Sequence, residues 1–136
     1  MPSATMHILL VEPEPMLRRT VAMTARSLGL GQVHEAATSA AALRLLSVRR
    51  FQGAVIAVEC VGSGKDSRYD LGLIDRLRAE AAAAEQALSI AIMTETATPE
   101  LLSDLRERQI SRVILKPFRA KVVLETIEKI CRSQKA

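Results

Sequence analysis

The sequence predicts an α/β domain in which helices cover both faces of a doubly wound, five-stranded parallel sheet. Short aliphatic runs alternate along the chain with longer amphipathic stretches. The aliphatic runs carry almost no charge, which is typical of strands that are buried on both faces. The 136 residues are 49% apolar and 25% charged, a composition that suits one globular domain and excludes a disordered chain.

Five segments have the composition of buried strands, and they lie at 7–11, 32–35, 53–58, 88–94 and 112–115. Right-handed crossovers place the connecting helices on both sides of such a sheet. Functional groups of parallel sheets gather where the strands end, so we expect them among the residues at the carboxyl ends of these segments. Those residues are Glu12, Ala57–Glu59, Thr94–Glu95 and Lys116.

The first two helices are predicted from apolar spacing and from their end residues. The first runs from Glu14 to Leu28, with a proline suited to the first turn and a glycine that ends it. Thr38 or Ser39 caps the second helix, whose Leu43 is expected to face the core.

Three further helices follow the third, fourth and fifth strands. The third spans about Asp70 to Ala84, and the fourth starts at Thr98-Pro99 with a capping residue and a first-turn proline. The fifth follows Pro117 and is marked by an apolar spacing of three and four residues. We expect one domain over residues 1–136, with a core from about 7 to 132.

Composition also bounds the compartment and the chemistry. The two cysteines, Cys60 and Cys131, are too few for a metal cluster or a disulfide framework. No signal peptide or membrane span is recognisable, so a cytoplasmic protein without membrane contact is expected. The methionines are expected to fill gaps in the core; those concerned are Met6, Met16, Met23 and Met93.

Positive charge is concentrated at the carboxyl end of the chain. Residues 106–136 contain 9 basic and 3 acidic groups, whereas residues 1–105 contain 10 basic and 12 acidic groups. This skew of +6 against −2 suits an acidic partner surface or nucleic acid. A solvated helical face is the alternative interpretation, since cations also stabilise helix carboxyl ends.

Five segments together resemble the receiver domain of bacterial response regulators, the phospho-acceptor module of two-component signalling. They are "ILLVEPEPMLRR", "ATSAAALRLL", "FQGAVIAV", "SIAIMTE" and "VILKPF". The resemblance extends from about His7 to Arg132. It implies the flavodoxin-like receiver fold with strand order 2-1-3-4-5.

The resemblance also implies a phosphorylation site, of which part is lost here. Two adjacent acidic residues after the first strand hold magnesium in the family, and an aspartate at the end of the third strand accepts the phosphoryl group. Glu12 matches the first acidic residue, but Pro13 stands at the second and Ala57 at the acceptor. We therefore predict no aspartyl phosphorylation and no magnesium cofactor or other metal site.

The remaining family positions lie at the ends of the last two strands. Thr94 and Lys116 match the hydroxyl and the lysine that bind phosphoryl oxygens in the family. Val113 replaces an aromatic residue that often reports phosphorylation. Without an acceptor carboxylate, we expect Lys116 to pair with Glu12 as a structural salt bridge.

The segment after the third strand allows a second interpretation. Glu59 lies two residues beyond Ala57, so a longer strand would bring it to the pocket as an acceptor or a fixed phospho-mimic. The loop that follows has gained about five residues relative to the family. Within it, Gly62 and Gly64 could form a backbone nest for an anion beside Lys65.

The sequence therefore predicts a stand-alone receiver-like protein that is not an enzyme and acts by contact with another protein. A histidine kinase or another two-component protein with an acidic surface is the expected partner. The fourth helix, fifth strand and fifth helix form the expected binding face, with Arg106, Arg108, Arg112, Arg119 and Lys121 on it. A binder of nucleic acid or another polyanion through the basic carboxyl third is the alternative.

Overall fold

The computed structural model describes residues 6–61, 68–110 and 112–135. Its strands are β1 (His7–Val11), β2 (Gln32–Ala36), β3 (Gly53–Ala57), β4 (Cys60–Val61), β5 (Arg68–Tyr69), β6 (Ser89–Thr94) and β7 (Arg112–Leu115). Its helices are α1 (Pro15–Ser27), α2 (Ser39–Leu46), α3 (Gly72–Ala83), α4 (Pro99–Glu107) and α5 (Ala120–Lys135).

Five parallel strands form the main sheet in the order β2-β1-β3-β6-β7. This arrangement is the doubly wound order that was predicted from the sequence. The structure differs from the prediction after β3. There β4 and β5 form a short antiparallel hairpin where a loop was expected. The glycines and lysine of the predicted anion nest, Gly62, Gly64 and Lys65, lie outside the described residues.

Alternating strand residues supply two separate core layers. Leu9 and Ile92 face one layer, which α2, α3 and α4 complete with Ala42, Leu77 and Leu101. The opposite layer is closed by α1 and α5. The fully buried strand side chains confirm that the uncharged aliphatic runs are covered on both faces. No helix among the described residues is long and apolar enough to cross a membrane.

Gly53 permits the close approach of α5 to the middle of the sheet. A Cβ atom at this position would clash with the side chains of Ile130 in α5 and Ile8 in β1. Since the glycine starts β3, it brings the strand that carries Ala57 directly under α5. The register of β3 against β1 and β6 is therefore supported by packing as well as by backbone hydrogen bonds.

The exposed side of α1 corrects one expectation. Met93 is buried, but Met16 and Met23 are 77% and 56% exposed, so the prediction that they fill the core is wrong. The buried face of α1 consists of Val21, Ala22 and Ala25 instead. Small side chains let the helix lie close to the sheet, which leaves its longer apolar residues on the surface.

The second helix departs from expectation in the same way. Its inward residue is Ala42, whereas Leu43 is 38% exposed. The caps were better predicted, because the hydroxyls of Thr38 and Thr98 accept hydrogen bonds from Ala41 and Leu101 amides.

Two histidines meet at the amino end of the sheet. His7 Nδ1 lies 3.0 Å from His34 Nε2, and the Arg49 guanidinium lies 2.9 Å from the same His7 nitrogen. Burial lowers the pKa of both histidines, and the positive charge of Arg49 lowers it further. Arg26 and the neighbouring His7 also act in this direction on His34. The folded state thus favours neutral imidazoles.

This cluster predicts a loss of stability in mild acid. The unfolded chain takes up protons near the ordinary histidine pKa of 6.5, while the folded chain resists them. The free energy of unfolding should therefore fall as the pH drops below that value. Urea unfolding between about pH 7.5 and pH 5.5 measures the effect. The control is His7→Gln/His34→Gln, which should show a shallower pH dependence; equal slopes would contradict this assignment.

Candidate functional site

A buried ion pair joins the ends of the first and last strands of the main sheet. Glu12 follows β1 and is only 1% exposed, and Lys116 follows β7. Parallel strands end at the same edge of a sheet, so these side chains converge although β3 and β6 lie between their strands. Lys116 Nζ is 2.7 Å from Glu12 Oε1, the pairing that the sequence led us to expect.

The two carboxylate oxygens of Glu12 have different partners. Oε2 accepts a 2.9 Å hydrogen bond from the Glu14 amide. Oε1 accepts no hydrogen bond of regular angle from the described residues. The ammonium at 2.7 Å nevertheless compensates its charge, because Coulomb attraction depends on distance rather than on bond angle. A buried carboxylate requires such compensation.

Arg18 fixes the backbone that carries Glu12. Its Nη1 donates a 2.9 Å hydrogen bond to the Glu12 carbonyl, and its Nε lies 3.3 Å from Glu35 Oε1 at the end of β2. One guanidinium thus connects α1, the β1–α1 turn and β2. The sequence analysis did not single out Arg18 or Glu35, because Arg18 lies in a quoted segment without an assigned role, Glu35 lies outside those segments, and the two residues are 17 positions apart in the chain.

Two positions near the ion pair, Pro13 and Ala57, carry no side-chain oxygen. Ala57 is the last residue of β3 and pairs with Met93 of β6. Pro13 is exposed beside Glu12. Glu59 lies beyond the end of β3, where its exposed side chain forms no ion pair with any described residue. Ala57 thus ends β3, and Glu59 lies two residues beyond the strand.

Side-chain hydrogen bonds connect the β4–β5 hairpin to the turn after β6. Thr94 is 1% exposed, and its hydroxyl donates a 3.0 Å hydrogen bond to the Thr96 carbonyl. Tyr69 Oη lies 2.6 Å from Thr96 Oγ1. The Thr94 hydroxyl is therefore engaged with the local backbone. Tyr69 and Thr96 were missed from the sequence, because the hairpin that brings them together was read as a loop.

Val113, which the sequence resemblance places where many receivers carry an aromatic residue, lies in β7. It is half-buried and packs against the core layer of α2, α3 and α4. Lys116 and Pro117 follow β7 and are joined by a cis peptide bond. Valine has no aromatic ring. The strand β7 therefore carries no aromatic side chain that could move between an inward and an outward position.

A groove of about 830 Å³ opens beside the ion pair, between the start of α1 and the β7–α5 connection. Its apolar walls are Pro13, Pro15, Leu17, Pro117 and Phe118. Its charged lining residues are Glu12, Glu14, Glu59, Glu95 and Lys116. The site is therefore a mixed apolar and acidic groove with one internally neutralised pair.

The basic residues of the carboxyl third do not share one environment. Arg108 Nε lies 2.6 Å from Asp75 Oδ1 of α3, so this guanidinium is directed toward α3 rather than toward β7 and α5. Its pKa is raised, chiefly by that hydrogen bond. Lys121 lies 3.9 Å from Glu125 in α5.

Three basic residues of the expected partner face differ from Arg108 and Lys121. Arg106, Arg112 and Arg119 form no ion pair with any residue in the described ranges. Arg106 and Arg119 are exposed, and Arg112 is partly so. These three guanidinium groups are therefore the ones available to an acidic partner.

Arg78 holds α3 against the end of α4. Its guanidinium donates to the carbonyls of Arg108, Leu88 and Gln109 at 2.8, 2.6 and 2.7 Å. Burial lowers the pKa of this arginine. Together with the Arg108–Asp75 pair, these bonds attach the first turn and the middle of α3 to the residues that end α4.

The donors at this site do not fit magnesium. The ion requires several oxygen ligands in octahedral geometry. Glu12 is held by Lys116, while Pro13 and Ala57 supply no side-chain oxygen. Within residues 6–61, 68–110 and 112–135, no group of three His, Cys, Asp or Glu is placed to hold a metal ion.

Breaking the ion pair from one side should destabilise the fold. Lys116→Met leaves the Glu12 carboxylate buried without a counter-charge, and we expect a loss of about 3 kcal/mol in the free energy of unfolding. The partial exposure of Lys116 places the effect at the low end of the range for buried pairs. Urea unfolding measures it. The double variant Glu12→Gln/Lys116→Met should recover much of the loss, and simple additivity of the two single changes would contradict the pairing.

No protein-family model matches the sequence, and no curated protein matches it. Solved structures do match. Vibrio cholerae chemotaxis protein CheY4 is 20% identical with a TM-score of 0.71, over 93% of this chain and 99% of that one. A CheY-like response regulator receiver domain protein of Methanospirillum hungatei is 17% identical with a TM-score of 0.76, over 97% and 98%. A Thermotoga maritima response regulator is 23% identical with a TM-score of 0.70, over 95% and 99%. The chain therefore has the fold of the CheY-like receiver domains of two-component response regulators.

Proposed function

We propose that this chain is a receiver-like signalling protein of a two-component pathway that does not take up phosphate and acts by binding another protein. The Glu12–Lys116 ion pair carries the proposal, because it joins two groups that a working receiver directs at metal and phosphoryl oxygens. No aspartate is among the described residues that line the groove. A histidine kinase or another two-component protein is the proposed partner.

The chemistry of phosphoryl transfer explains why these positions matter. The transfer needs a nucleophilic oxygen in line with the leaving group and positive charge on the equatorial oxygens. The methyl group of Ala57 offers no nucleophile. The charge of Lys116 is already satisfied at 2.7 Å by a carboxylate. We accordingly propose that the chain is not an enzyme and uses no magnesium.

Glu59 is the basis of an alternative proposal for the same receiver-like protein. Its carboxylate lines the groove, so it could serve as a fixed negative charge or as an acceptor. Its position beyond the end of β3 and its exposure favour the first of these roles over the second. The phosphorylation experiment separates them.

The intact chain should gain no phosphate from a small phosphodonor in the presence of magnesium. The physical reason is the missing acceptor at Ala57. Intact-mass spectrometry after incubation with acetyl phosphate measures the outcome, and the expected result is an unchanged mass.

Two variants make that result interpretable. Pro13→Asp/Ala57→Asp restores both missing carboxylates and serves as the positive control for the assay. Glu59→Gln tests the alternative acceptor. A stoichiometric adduct of one phosphate on the unaltered chain, absent from Glu59→Gln, would replace the proposal by phosphorylation at Glu59; an adduct on any other residue would overturn it as well.

The face formed by α4, β7 and α5 has the character of a protein interface. Leu115 of the edge strand β7 is 53% exposed, although it is a large apolar residue. Arg112 lies on the same strand, Arg106 lies in α4, and Arg119 lies in the connection between β7 and α5. An apolar centre with a cationic rim suits a partner whose surface is acidic. The polyanion alternative has less support, since Arg108 and Lys121 are paired with carboxylates.

Charge reversal on this face should weaken capture of the partner without unfolding the protein. Arg112→Glu/Arg119→Glu removes two available cations, and exposed charges contribute little to stability. The measurement is a pull-down from native lysate, with circular dichroism as a check on folding. Arg44→Glu/Arg50→Glu is the matched control, because Arg49 contacts His7 and is unsuitable. Equal recovery of the same protein by both variants would show that another face binds it. Binding to plain DNA that weakens steeply with added salt would favour the polyanion alternative.

A further inference from the structure

Three nitrogen-bearing side chains converge at the amino end of the main sheet, and we call His7, His34 and Arg49 the histidine cluster. His7 begins β1 and His34 lies in the middle of β2, both on the sheet face that α2 covers. His7 Nδ1 lies 3.0 Å from His34 Nε2, and Arg49 Nη1 lies 2.9 and 3.0 Å from the two nitrogens of the His7 ring. Two strands and the segment after α2 thus direct nitrogen atoms to one point.

The surrounding contacts hold the histidine cluster in place. The His7 amide donates a 2.7 Å hydrogen bond to Gln52 Oε1, and the Gln52 amide donates a 3.0 Å hydrogen bond to the His7 carbonyl. The ring of His34 makes an edge contact with buried Phe51, and the two ring centroids are 5.4 Å apart. A binding site that is already ordered loses little conformational entropy when its ligand arrives.

The charged groups that act on the histidine cluster are positive. Arg49 is exposed and forms no ion pair with any residue in the described ranges. Arg26, at the end of α1, adds a second positive charge that acts on His34. The carboxylate next along β2, Glu35, points to the opposite face of the sheet, where Arg18 lies 3.3 Å from it. No carboxylate of the described residues bonds to the cluster, so its positive charge is not balanced within this part of the chain.

We propose that the histidine cluster binds a tetrahedral oxyanion with two negative charges, either free or carried as a phosphate ester on a small molecule. The Arg49 guanidinium and the two imidazoles supply the hydrogen-bond donors, and hydrogen bonds between charged groups are short and strong. A neutral imidazole has one N–H group, and protonation gives it a second donor together with a positive charge. The site lies at the opposite edge of the sheet from Glu12 and Lys116, so it does not depend on the proposed function.

The anion should bind more tightly as the pH falls. Burial and the charge of Arg49 lower the pKa of both histidines, and Arg26 acts in the same direction on His34. A bound dianion opposes this effect, because it stabilises both imidazolium ions and so raises both pKa values. Linkage requires that an anion that promotes proton uptake binds better in acid. We expect the affinity for sulfate at about pH 5.5 to be about fivefold or more above that at about pH 7.5.

Nuclear magnetic resonance of the imidazole rings tests the inference on the full chain. The sequence contains 2 histidines, so His7→Gln and His34→Gln assign each ring signal by its loss. Sodium sulfate is the first probe, because sulfate keeps both charges over this pH range. Sodium chloride at equal ionic strength is the control for screening. Sulfate should move the titration curves of both rings to higher pH, and chloride should leave them in place.

Matched arginine variants locate the bound anion. Arg49→Gln removes the guanidinium of the histidine cluster and should weaken sulfate binding about tenfold, as expected for the loss of a hydrogen bond between charged groups. Arg19→Gln makes the same change of net charge at an exposed residue of α1, which covers the other face of the sheet. This control should leave the affinity within about twofold. Circular dichroism checks that both variants fold.

Glycerol 3-phosphate is the second probe and distinguishes the two sources of the anion. Binding of both probes would assign the site to phosphate esters, and binding of sulfate alone would assign it to free oxyanions. Three results would overturn the inference: equal responses to sulfate and chloride, equal weakening by the two arginine variants, or sulfate binding that is no tighter at the lower pH. None of these results bears on the mass measurement that tests phosphate uptake.

Discussion

The buried carboxylate of Glu12 is the constraint on which the carboxyl edge of the sheet depends. A charged group that is 1% exposed must be compensated, and the compensation here reaches across two intervening strands from Lys116. Ala57 makes this possible, since a methyl group at the end of β3 neither competes for the ammonium nor repels Glu12. In a receiver that takes up phosphate, an aspartate in this place would divide the lysine charge between two acids. The residue at the end of β3 thus affects what the Glu12 and Lys116 side chains can do at this site.

The consequence for recognition is a molecule with two surfaces of opposite charge. The basic face surrounds the edge strand β7, and the acidic groove lies next to the start of α1. Because Lys116 is neutralised internally, it does not lower the negative charge of the groove.

The fold was predictable to a large extent because the relevant information is local. Uncharged strand segments, capping threonines and helix-terminating glycine each act over a few residues, and they determined the alternation and hence the sheet. The pairing of Glu12 with Lys116 was also predictable, since parallel strands place their ends together. The sequence did not show which residues that are distant in the chain would contact one another. Nothing in the local sequence directs Arg108 to Asp75 or Tyr69 to Thr96. The exposure of Met16 and Met23 depends on how closely α1 approaches the sheet, which the small residues on its other side decide.

The hydrogen bonds made by Arg78 connect two helices. This one side chain holds three carbonyls around the end of α4, and the Arg108–Asp75 pair returns the connection to α3. The first turn and the middle of α3 are therefore both bound to the residues that end α4. The amino end of α3 follows directly from the hairpin strand β5, while α4 borders the basic face. The hairpin strand β5 and the end of α4 are therefore both connected to α3, so this helix supports two separate parts of the surface.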